Sequence, residues 1–237
     1  MKPVSLVFFC MFSVSSLGFS SDIITLPNYE LLSWTPHFSD LPGECVDSDG
    51  LPVEIERLNP DTSCDTFELD YTMENQMLVM ESHNRSDDVW MGLSRWYGGL
   101  NAHQSYEMCL DLTFFSDART GGVGIGGSPD AVHLKFGAAH GDLKFDSTFS
   151  GTDTIYFDDQ VFDKGNQASV GSDVVYLGQI STEVSDGCFK NFCPKQVSAC
   201  IPVVADDEGR VNAVLGSDSG FEGVTKLFYK EIEVSFR

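Results

Sequence analysis

The chain has 237 residues, 36 acids against 14 lysines and arginines, a formal net charge of −22, and 42% hydrophobic residues. Such an acid excess repels nucleic acid and anionic membrane surfaces and favours neutral or cationic ligands. The acids are interleaved with Val, Ile, Leu and Phe, which describes a folded domain and not a disordered tail.

Taken in chain order, the first segment, "MKPVSLVFFCMFSVSSLGFSSD", sets one lysine before the apolar stretch Val4 to Phe12 and then a run of small residues. This is the layout of a secretory signal peptide over residues 1–20. Its apolar core breaks at Ser13, well short of the roughly 20 residues a bilayer-spanning helix needs, and no later segment qualifies, so no membrane insertion is expected. Cys10 follows Phe8 and Phe9, where a lipoprotein cysteine would follow a small residue. Residues 21–237 are expected to form one exported domain.

Cys10 leaves with the signal, and Cys45, Cys64, Cys109, Cys188, Cys193 and Cys200 remain. An even number in an exported chain implies disulfides whose pairing sequence alone leaves open. The expected arrangement joins Cys45 to Cys64, closes one loop with two of the last three cysteines, and takes the third to Cys109.

Residues 22–75 are loop-rich, with two strands and the Cys45–Cys64 excursion between them. After them, short alternating segments separated by Gly, Asp, Asn and Ser predict an all-β, jelly-roll-like antiparallel β-sandwich with disulfide-tied loops. "VWMGLSRWY" puts Val89, Met91 and Leu93 on one face and Trp90, Ser94 and Trp96 on the other. "SYEMCLDLTFF" aligns Tyr106, Met108, Leu110, Leu112 and Phe114 on one face. "AVHLKFGA" turns Val132, Leu134 and Phe136 inward and leaves His133 and Lys135 together outside. Residues 181–200 are expected to be a long disulfide-tied connection. In "TKLFYKEIEVSF" the packed residues are Leu227, Tyr229, Ile232 and Val234 if the register shifts once near Lys230.

The acid-rich turns at Asp47 and Asp49, Asp87 and Asp88, Asp158 and Asp159, and Asp206 to Glu208 offer hard oxygen ligands, and calcium is the cofactor they suit. Asp and Gly also build ordinary turns through local hydrogen bonds. His37, His83, His103, His133 and His140 form no H-E-x-x-H pattern, and neither "GIGGSPD" nor "SDSGFEG" is a G-x-S-x-G nucleophile motif. "GGVGIGG" lies between strand-like segments with no following helix, so no phosphate loop is expected. Trp34, Trp90, Trp96, Tyr97, Tyr156, Phe157 and Phe221 include rings beside glycine or acid residues, a composition suited to stacking on sugar faces or to filling a core.

The segment "DDVWMGLSRWYGGLNAHQSYEMCLDLTFFSD" resembles the core of galactose-binding-like β-sandwiches, including carbohydrate-binding modules, and "LFYKEIEVSF" is similar to their closing strand. Where that class often carries Asp before the final alternation, this chain has Lys230. The phrases "NRSDDVWM", "GGVGIGGSPDAVHLKFGA", "DKGNQASVGSDVVYLGQI" and "GSDSGFEGVTKLFYKEIEV" resemble a family of secreted bacterial proteins and lipoproteins that carries no assigned activity. The resemblance implies fold and export. The polar residues of its phrases are the candidate ligand-binding set: Asn84, Asp87 and Asp88; Asp163, Lys164, Asn166 and Gln167; and Asp218, Ser219 and Glu222, with Phe221 as a ring wall. If their three loops meet at one end of the sandwich they form a pocket. The function expected is a secreted, non-catalytic carbohydrate-binding module with a structural calcium. The alternatives are a polysaccharide lyase or hydrolase, with Lys164 or His133 as base and Asp163 with Asp218 as the acid pair, and a purely structural surface protein.

Overall fold

A computed structural model describes residues 28–42, 67–68, 76–84, 88–123, 127–144, 154–155 and 157–237. Cys45, Cys64, Asp87, Tyr156 and the "DSDG" turn lie outside the described residues, as do residues 1–27. After a 3-10 turn at Asn28–Ser33, the strands are β1 (Thr35–Ser39), β2 (Leu41–Pro42), β3 (Phe67–Glu68), β4 (Leu78–His83), β5 (Val89–Tyr97) and β6 (Ser105–Ser116). They continue with β7 (Val132–Ala139), β8 (Thr154–Ile155), β9 (Val174–Gln179), β10 (Cys193–Val204), β11 (Val211–Ser219) and β12 (Val224–Phe236).

The protein is an all-β sandwich of two antiparallel five-stranded sheets. The first runs β1-β5-β11-β7-β9 and the second β10-β6-β12-β4-β3, with β2 and β8 pairing separately. The period-two alternation of the sequence decides which faces meet. Met91, Leu93, Leu134, Phe136 and Leu215 of the first sheet face Met80, Met108, Leu110, Phe114 and Leu227 of the second, all buried in one core. Along β12 the register against β6 shifts between Tyr229 and Glu231. This bulge at Lys230 is the shift the sequence requires, since it returns Ile232 to the core face after Tyr229.

The connection after residue 180 is shorter than expected, because Cys193–Val204 is a twelve-residue strand paired along its whole length with β6. Pro194 and Pro202 obscured it in the sequence. They are tolerated because β10 is an edge strand, where a missing backbone donor leaves only one neighbour to satisfy. The disulfides among the described residues match the expected arrangement: Cys188–Cys193 closes the short loop into β10, and Cys109–Cys200 ties β10 to β6 at directly opposed positions.

A second, smaller core lies on the outer face of the first sheet. Trp90, Val214, Ala139 and Val174 are covered there by Phe157 and Phe162 from the segment between β8 and β9. Trp90 lies flat across the sheet because its neighbours are glycines. A Cβ on Gly216 would sit 2.3 Å from the indole Cζ2, and one on Gly92 would sit 2.5 Å from its Nε1. Gly216 thus serves packing within a strand and does not form a turn. The turn follows it, from Gly220 to Gly223, so the acid of "GSDSG" sits on a strand and not in a loop.

A buried lysine and aspartate network beside a cavity

On that outer face, register places Trp90 of β5 opposite Asp218 of β11, and Asp218 opposite His133 of β7. The next row is Gly92, Gly216 and Lys135. Lys135 is therefore diagonal to Asp218 on one face, a spacing long side chains bridge. Its Nζ donates to Asp218 Oδ2 at 2.8 Å, with both side chains 0% exposed. The outward placement of His133 and Lys135 expected from alternation is correct as to face. It is corrected as to exposure: the loop 163–171 lies over Lys135, which also donates to the carbonyls of Lys164 and Ser169 at 2.8 and 2.9 Å. Gly165, at φ 69°, lets that loop turn tightly, since a Cβ there would stand 2.4 Å from the Ser169 carbonyl oxygen.

Lys164 enters the network from the loop. Its Nζ lies 3.0 Å from Asp40 Oδ2 and 3.2 Å from Asp218 Oδ2, and 5.7 Å from the centroid of the Trp90 ring. Asp40 follows β1 at φ 65°, a conformation Asp adopts more readily than most residues, and also accepts the Ser39 hydroxyl at 2.8 Å. The backbone N–H of Gln167 donates to Asp218 Oδ2 at 2.9 Å, and Asn166 Nδ2 donates to Asp88 Oδ2 at 2.8 Å. Carboxylate oxygens of Asp40, Asp88 and Asp218 lie within 4.8 Å of one another.

Like charges this close cannot all ionise in a dry site. Burial, reinforced by Asp40 and Asp218, pushes the Asp88 carboxyl up to about 8, so it holds a proton at neutral pH beside Asp218. Burial also raises Asp40, against the pull of Lys164. Burial works against the Lys164 ammonium, but Asp218 and Asp40 outweigh it and hold its pKa above the usual lysine range. Burial lowers Lys135, with Asp218 only partly offsetting it. The proton on Asp88 leaves two lysines against Asp40 and Asp218, which is how this much charge is tolerated inside the fold. The Lys164 ammonium already pairs with two of these carboxylates, at 3.0 Å from Asp40 and 3.2 Å from Asp218.

The network forms one wall of a cavity of about 370 Å³, bounded by Asp40, Lys164, Asn166, Asp158 and Gln160, with Phe157 and Phe162 as its apolar side. Its size falls in the range of small-ligand sites. Asp159 and Gln160 are exposed at its mouth.

Of the candidate set, Asp88, Lys164, Asn166, Gln167 and Asp218 are brought together, and Asn84 joins them indirectly by donating to the Ser219 carbonyl at 2.7 Å. Asp163 serves the loop instead: Oδ1 accepts the Gly165 N–H and Oδ2 the Ser172 N–H, and these bonds hold its carboxyl below the usual range. Ser219 exchanges hydrogen bonds with the backbone of Phe221, whose ring packs against the main core and does not line the cavity. Glu222 belongs to the same turn and is likewise not among the lining residues. Trp90 is fully buried and offers no sugar platform, and Trp96 carries the Arg210 guanidinium 4.7 Å above its ring. Asp206 accepts the N–H groups of Glu208 and Arg210, so that acid turn is locally hydrogen-bonded.

Sequence reasoning missed Asp40, which follows Ser39 in a region read as loop, and the burial of Lys135. It also missed a second cleft of about 450 Å³ between Trp96, His140, Asp173, Arg210 and Asn212. No family model and no curated protein matches the chain.

Proposed function

We propose that the protein is an exported, non-catalytic binding module that takes a neutral or cationic polar ligand, with carbohydrate as the ligand class, in the cavity beside Lys164. The observation that carries this reading is the placement of Asp40, from the end of β1, beside Gln160, Lys164 and Asn166 of one later segment, around one cavity with an apolar side at Phe157 and Phe162. Amide, carboxylate and ammonium groups around a cavity of this size suit a hydroxyl-rich ligand. The acid at the mouth, Asp158 and Asp159, disfavours anions. The two disulfides among the described residues, in an acidic sandwich, are consistent with life outside the cell. Calcium remains part of the proposal at the Asp158 and Asp159 turn, not at the buried triad.

The polysaccharide-cleaving alternative draws less support. Lys164 is held protonated by its carboxylate partners and so is a poor base, and both Asp163 oxygens are committed to backbone donors.

A glycan array and pull-downs on insoluble polysaccharides, with and without calcium, test the reading. Retention is expected for the wild type, weakened about tenfold in Gln160→Ala if one good hydrogen bond is lost. Absence of retention on every glycan would contradict the assignment of carbohydrate.

A further inference from the structure

We propose that Lys135 and Asp218 condense into an amide, an intramolecular isopeptide bond that staples β7 to β11, with Asp88 as the group that moves the protons. This concerns the wall of the cavity and holds whatever the cavity binds.

The parts of an acyl-transfer site surround one carboxyl group. The nucleophile is the Lys135 amine, 2.8 Å from Asp218 Oδ2 and fully buried with it. A near-attack arrangement needs about 3–3.5 Å between amine nitrogen and carboxyl carbon. Attack therefore requires the flexible Lys135 side chain to carry its nitrogen from Oδ2 to one face of the carboxyl carbon, while the carboxyl keeps its orientation. Oδ2, where negative charge grows, already accepts the Lys164 ammonium at 3.2 Å and the Gln167 N–H at 2.9 Å. Donors preset on a developing oxyanion are a large source of rate enhancement. A carboxyl oxygen of Asp88 lies within 4.8 Å of one of Asp218, while Asp218 Oδ1 takes no hydrogen bond from a fixed donor. That oxygen is the one placed to leave.

The steps balance without any further reactant. One proton leaves the Lys135 ammonium and one comes to rest on Asp218 Oδ1, relayed by the Asp88 carboxyl, giving amine and carboxylic acid with Oδ2 still facing its other donors. The amine lone pair attacks Cγ, forming the C–N bond and an oxyanion at Oδ2 facing Lys164 and Gln167. Asp88 gives its proton to the leaving hydroxyl, the C–O bond breaks, and the Asp88 carboxylate takes the surplus proton from nitrogen. The products are the amide and one water, and Asp88 ends protonated as it began.

Lys135 is the reacting lysine, and Lys164 is not. Burial lowers the pKa of the first, whereas Asp40 and Asp218 together keep the second charged. The bond would join positions 83 residues apart.

The test is mass spectrometry of the purified, fully reduced chain after incubation at neutral pH. The expected mass is one water below that of the sequence with its observed N-terminus. Asp49 and Asp186 each precede glycine and lose water on closing to succinimides, so the tryptic map must also contain one species joining the Lys135 and Asp218 peptides. An unaltered mass, or a lost water without the joined species, overturns the proposal. Asp88→Asn keeps the shape of the carboxyl but carries no acidic proton. Full mass in that variant, with a wild-type circular dichroism spectrum, supports the role of Asp88, and a joined species there refutes that role.

Discussion

At Gly216 a single methyl group decides whether Trp90 can lie across the first sheet. The 2.3 Å approach leaves no room, and the indole is held from above by Phe157 and Phe162. Gly216→Ala is expected to cost about 1–3 kcal/mol, the usual range for overpacking, read as a lower urea midpoint with an unchanged slope. Asp218→Ala is more severe, because it leaves Lys135 and Lys164 buried beside a missing partner. A loss of about 3–5 kcal/mol is expected, and a change within experimental error would show that the network is not the dry cluster described. His37 supplies a pH dependence. Burial depresses it from 6.5 to about 4, and its Nε2 lies 2.6 Å from Ser94 Oγ. Because the folded state holds the neutral ring, this contribution is complete above pH 6.5 and is lost as pH falls through about 4, by at most about 3 kcal/mol. Unfolding free energies of wild type and His37→Gln should run parallel above pH 6.5, and the wild type should lose up to about 3 kcal/mol relative to the variant as pH falls to about 4. Asp218 could be singled out in the sequence because it sits among glycines and polar residues. Its burial could not, since that depends on a loop about fifty residues earlier folding over it.

At the scale of elements, alternation carried most of the information. The faces of β5, β6 and β7 follow from period two, and the bulge in β12 follows from the requirement that Tyr229 and Ile232 both face the core. The edge strand β10 was not legible. Its prolines argue against a strand, and its outer positions, facing solvent, carry a weak apolar signal. The outer face of the first sheet misled for a related reason. Polar His133 and Lys135 alternate as on a solvated face, while the segment covering them is irregular and leaves no periodic trace. The two disulfides differ in what they constrain. Cys109–Cys200 spans 91 residues and Cys188–Cys193 only 5. Replacing the first pair by alanine is expected to cost about 2–4 kcal/mol, and replacing the second distinctly less, because a longer closed loop removes more unfolded-state entropy. Equal losses in paired urea titrations would contradict that account.

Over the whole molecule, the two cores have different jobs. The inter-sheet core fixes the sandwich, and the smaller one around Trp90 holds the 157–171 segment against the first sheet, which creates both the charge network and the cavity beside it. The network is rigid, near neutral in sum and closed to water on its β-sheet side, so the groups free to meet a ligand are those at the rim, Asp159, Gln160 and Asn166. The most direct measurement is the thermal unfolding midpoint of the wild type and of Gln160→Ala across a panel of neutral saccharides, each with calcium and with chelator, since a ligand held only by the folded state raises the midpoint by mass action. A saccharide-dependent rise is expected in the wild type and a reduced one in Gln160→Ala, while the ligand-free midpoints of the two proteins agree. A midpoint indifferent to every saccharide, or a rise that Gln160→Ala retains in full, would contradict the assignment of this cavity as a carbohydrate site.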